Sequence, residues 1–189
     1  MYFERRINES FSVLLDELRA GEIGELDVAN QDEVVAICHR FLIAARDGTA
    51  RRNMRLLARA LVGLAKQDRL YSDEFNKYAD TLARLTRDQI LLLGRYHAMW
   101  VEEIEQSTDQ EEARARAWKR LNNQLVPTEF PTADHIISIC AQAAGLGLLN
   151  MGSAFGGLIY RPSPILLEII DLADFQDVLR AEGEFPNSR

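Results

Sequence analysis

Apolar and polar positions along the 189-residue chain follow a helical period almost throughout. Phe3, Ile7, Phe11, Leu14 and Leu18 recur at steps of three and four, the stripe of an amphipathic helix. Gly21 and Gly24 are expected to end it. Asn30 is the expected N-cap of a second helix, with Glu33 at the capping-box position and Val34, Ile37, Phe41 and Leu42 as the apolar face. Asp47-Gly48-Thr49 then forms a turn. A third helix runs from Arg51 to Lys66, burying Met54, Leu57, Leu61 and Leu64. Ser72 is expected to cap a fourth, with Phe75, Tyr78, Leu82 and Leu85 inward. Thr86 opens a fifth, paired with Gln89 as a capping box, and Ile90, Leu93, His97 and Trp100 run along it. Glu111 to Leu125 reads as a sixth, followed by a loop between Pro127 and Pro131.

The pattern then changes. Thr132 caps a helix carrying Ile136, Ile139, Cys140 and Ala143, ended by Gly145 and Gly147. Leu148 to Met151 and Leu158 to Tyr160 are short apolar runs around Gly152-Ser153-Ala154-Phe155-Gly156-Gly157, which predicts a hairpin in which either Ile159 or Tyr160 faces the core. Ser163 caps a final helix, with Pro164 at its first position. The expected fold is therefore mainly α: a multi-helix body with a C-terminal part containing one short β-hairpin. Its expected parts are an N-terminal amphipathic helix (1–27), a helical body (28–105) and the C-terminal part (106–189), packed as one globular unit.

Gly147-Leu148-Leu149 followed by Gly156-Gly157-Leu158-Ile159-Tyr160-Arg161-Pro162-Ser163-Pro164 resembles the end of a winged-helix module, and the resemblance covers residues 132–172. It implies DNA binding. The residues present argue against that use. The helix that would enter the major groove has Asp134 at its leading end and no Lys or Arg, and the wing tip is uncharged. Residues 32–100 are similar to helical segments of uncharacterised bacterial proteins, a resemblance that implies no activity.

Charge changes the picture more than composition does. The chain carries a net −7, which disfavours non-specific attraction to nucleic acid or anionic membrane. Residues 40–69 nonetheless hold eight basic and two acidic residues, a net +6, between acidic flanks. Arg51, Arg52, Arg55, Arg59 and Lys66 fall on the third helix, and the last four share a face away from its leucines. Two readings follow: an anion- or partner-binding stripe, for phosphate, nucleic acid or an acidic protein, or a face paired internally with acids of the N-terminal helix, which is the favoured one. Such surface pairs contribute little each, so the stripe is expected to be dispensable for folding.

Nothing marks a catalytic centre, and neither a cofactor nor a metal site is expected. His39, His97 and His135 lack metal-ligand spacing, and no P-loop or nucleophile motif occurs. Glu102, Glu103 and Glu105 gather at a helix end, where a solvated cluster is favoured over a cation site. Cys38 and Cys140 fit buried hydrophobes in a reducing, cytoplasmic setting. Residues 1–18 read as neither signal peptide nor membrane span, and no span is expected. The leading functional expectation is a bacterial or prophage interaction or regulatory protein. It would self-associate as a homodimer through Phe3, Ile7, Phe11, Leu14 and Leu18. The alternatives are a nucleic-acid-binding regulator using residues 51–66 and an enzyme whose site no motif reveals.

Overall fold

The computed structural model describes residues 2–23, 31–154 and 157–184. These form helices α1 (Tyr2–Ala20), α2 (Gln31–Arg46), α3 (Arg51–Lys66), α4 (Ser72–Arg84), α5 (Arg87–Glu105), α6 (Gln110–Leu125) and α7 (Ala133–Gly145), then strands β1 (Leu149–Ala154) and β2 (Gly157–Pro162), then α8 (Pro164–Leu172) and α9 (Phe175–Ala181). The protein is mainly helical, with one antiparallel two-stranded hairpin in its C-terminal part. It divides into two compact units, residues 1–85 with 171–189, and residues 86–170. The expected caps at Gly24 and Asn30, and Phe155-Gly156 of the wing, lie outside the described residues, as does the side chain of Phe3.

In the first unit α3 is central. Its predicted stripe of Met54, Leu57, Leu61 and Leu64 is buried, and so are Leu56, Ala58, Ala60 and Val62 on other faces. A helix buried nearly all round is one that neighbours enclose; α1, α4 and α9 all pack on it. From α4 come Phe75, Tyr78 and Leu82, all buried as predicted, with Leu85 just beyond. Asn53, also buried, donates from its amide to the carbonyls of Leu82 (2.7 Å) and Leu85 (2.8 Å), satisfying the end of α4. Ser72 does not cap α4. It is the first helical residue, and its backbone N–H is taken by the Glu33 carboxylate of α2. The first turn is thus capped from outside the helix, a solution that local spacing does not reveal.

The second unit opens with the predicted capping box: Gln89 N–H donates to Thr86 Oγ1 (3.2 Å), and Thr86 N–H to Gln89 Oε1 (2.9 Å). α5 and α6 pair along their lengths. Tyr96, Trp118 and Tyr160 then build an aromatic cluster with ring centroids 6.0 and 5.6 Å apart, and the Tyr96 hydroxyl donates to the Tyr160 carbonyl. Thr132 caps α7 and Ser163 caps α8, as the sequence indicates. The strands run further than the apolar runs suggest. Gly152, Ser153 and Ala154 belong to β1 and pair with Ile159, Leu158 and Gly157. Ile159 and Tyr160 point to opposite faces yet both are buried, so the base of the hairpin is covered on both sides.

Candidate functional site

The N-terminal helix does not turn its predicted stripe squarely inward. The buried residues of α1 are Ser10, Val13, Leu14 and Glu17, spaced i, i+3, i+4 and i+7. Leu14 is thus buried as expected, but Ile7 and Leu18 are half-buried and Phe11 is 36% exposed. Leu15, one turn on from Phe11, is 47% exposed. The apolar arc of α1 is wider than its contact with α3, and its outer half, Ile7-Phe11-Leu15-Leu18, faces outward. The shift has a physical cause: Glu17 turns inward to meet arginines. The apolar spacing read from the sequence passed over Ser10, Val13 and Leu15, and did not single out Glu17 among the acids of this helix.

Those arginines belong to the basic stripe of α3. Arg55 is 8% exposed, which corrects the expectation of a dispensable surface face. Its guanidinium donates to the Glu17 carboxylate and, from Nε, to Glu182 (2.6 Å), in the turn after α9. Burial works against the Arg55 charge, but the bonds to Glu182 and Glu17 outweigh it and hold the group more firmly protonated than usual. Arg59 donates to the other oxygen of Glu17 (2.9 Å), Arg52 reaches Glu184 (3.2 Å), and Arg51, whose side chain is exposed, reaches Glu182 (3.2 Å). Lys66 is exposed at the end of the helix. Three carboxylates, Glu17, Glu182 and Glu184, thus engage the four arginines of the stripe within the chain. The N-terminal contribution was legible, because the acids of residues 1–39 are within helical reach. Glu182 and Glu184 were not, because α9 went unpredicted despite Asp174, whose side chain caps it.

In the second unit, Glu103 pairs with Arg116 (2.9 Å) and Arg120 (3.4 Å), and Glu102 with Arg120 (2.6 Å). The carboxylates at the end of α5 therefore face guanidiniums of α6, and the Arg116 bond holds the Glu103 carboxyl below its ordinary range. On α7, Asp134, Ile137, Ser138 and Ala141 are exposed, a face without positive charge. Near the hairpin tip Met151 (63%) and Leu158 (52%) are exposed. His39 and His135 are exposed, His135 stacking on Phe130, and His97 is half-buried. Cys140 is buried, Cys38 half-buried, and neither is in a disulfide. Among the described residues no group of three His, Cys, Asp or Glu is placed to hold a metal ion, and no helix is long and apolar enough to cross a membrane. Comparison with known protein families, curated proteins and solved structures found no match to this chain.

Proposed function

We propose that this is a non-enzymatic interaction or regulatory protein that self-associates as a homodimer through the outer face of α1. The observation that carries the reading is the exposure of Phe11 and Leu15 on a helix whose other apolar half is already docked on α3. Large apolar side chains at adjacent helical positions favour a partner over water. A second copy is the simplest partner, because one helix face can meet itself across a two-fold axis. The nucleic-acid reading through residues 51–66 has less support, since Arg52, Arg55 and Arg59 already bond carboxylates of the same chain. Two cysteines outside any disulfide fit a reducing, cytoplasmic setting. Light scattering across a concentration series tests the proposal. A mass rising to twice that of one chain is expected, and one-chain mass at every micromolar concentration would refute it.

A further inference from the structure

The guanidiniums of α3 differ in how well they are held. Arg55 donates to Glu182 at 2.6 Å and its side chain is 10% exposed. Arg52 is held loosely. Both oxygens of Glu184 lie 3.2 Å from its Nη1 alone, beyond the roughly 2.7–2.9 Å usual for a charge-assisted N–H···O bond. Its Nε is buried and bonds to none of the described residues. The two parallel bonds that a guanidinium offers one carboxylate are therefore not made. A buried donor without a partner is rare in a native fold and calls for one. Arg51, beside it, is 63% exposed and reaches Glu182 only through Nε, at 3.2–3.4 Å.

We propose that Arg51 and Arg52 are a docking site for an acidic peptide segment of a partner protein, and that Glu184 is its intramolecular stand-in. Charge complementarity carries the choice of partner. Residues 40–69 are net +6, and the groups already drawn to these two arginines are glutamates separated by one glycine, Glu182-Gly183-Glu184. A peptide with carboxylates at that spacing places one on Arg51 and one on Arg52, where it makes the parallel pair of bonds that includes Nε. Glu184 gives way without unfolding. The turn after α9 is fixed by its backbone: Gly183, at φ 68°, donates to the Arg180 carbonyl (3.0 Å), and the Glu184 N–H to the Leu179 carbonyl (2.8 Å), a glycine cap of the Schellman type. Release needs only rotation of the Glu184 side chain, which is 29% exposed. Glu182 stays in place, since it holds Arg55. The site shares no residue with the outer face of α1, so it stands or falls apart from self-association.

Fluorescence anisotropy of a labelled glutamate–glycine repeat peptide, titrated with the full chain, tests the site. The same peptide with glutamine for glutamate is the control. Saturable binding of the glutamate peptide alone is expected. Glu184→Gln should tighten it about fivefold, the most an exposed ion pair that no longer has to be displaced is expected to give. Arg52→Gln should weaken it about tenfold or more, the loss of a hydrogen-bonded charge. Arg51→Gln, at an exposed position, should weaken it too, and keeps the test decisive if Arg52→Gln fails to fold. No binding to the wild type or to Glu184→Gln would overturn the proposal, as would binding that neither arginine variant weakens. An affinity unchanged by Glu184→Gln would overturn the role of Glu184 as stand-in. Inorganic phosphate or random duplex DNA that competes better than unlabelled glutamate peptide, at matched ionic strength, would overturn the assignment to carboxylates.

Discussion

Arg55 sits where a guanidinium with one partner would be costly, and the chain supplies two carboxylates from its two ends. Breaking such a pair leaves buried charge uncompensated, which is far more destabilising than losing a surface ion pair. Arg55→Gln is therefore expected to lower unfolding free energy by about 3 kcal/mol, near the low end for buried pairs because Arg59 still holds Glu17. Arg52→Gln is expected to cost at most about 1 kcal/mol. Chemical denaturation of the two variants checks this, and equal effects would contradict the distinction. Cys140 offers a second test. Burial pushes its thiol from 9.0 up to about 12, so the folded chain keeps a proton that the unfolded chain releases. Stability from this group is complete below about pH 9 and falls as pH rises from 9 towards 12, by about 1.4 kcal/mol per pH unit at most. Cys140→Ala should flatten that part of the stability–pH curve; an unchanged slope would assign the alkaline loss to other groups.

At the scale of elements, close approach decides what the period cannot. A Cβ on Gly63 would lie 2.7 Å from the Leu172 carbonyl oxygen and 2.9 Å from its Cα. Alanine at an exposed helix interior gains up to about 1 kcal/mol over glycine. Here the clash with backbone reverses the sign, and Gly63→Ala is expected to lower the melting temperature. A rise would show that Leu172 is not packed against α3 at this point. Helices α5 and α7 were legible because apolar spacing, caps and breakers agree within each segment, and α3 and α6 from spacing and flanking breakers alone. The basis of the hairpin was legible in its flanking apolar runs, but not the strand character of Gly152–Ala154, since small residues carry no period. α9 was missed because a seven-residue helix offers barely two turns of pattern. The rotation of α1 was missed for a different reason: it is set by Glu17 meeting Arg55 and Arg59, a contact between residues about forty positions apart.

On the scale of the whole molecule, a net charge of −7 coexists with a basic helix whose arginines are matched inside the fold. What α1 leaves uncovered is its outer apolar half. The acidic surface disfavours polyanions, so self-association is expected to draw on apolar contact and to depend weakly on salt. The most direct measurement is sedimentation equilibrium of the wild type beside the Phe11→Asp/Leu15→Asp double variant, with helicity and unfolding followed in parallel. Both positions are exposed, so the variant should keep its fold, sediment as a single chain and weaken self-association at least about tenfold, the loss expected when central apolar contacts are removed. A double variant that self-associates as tightly as the wild type would contradict the account.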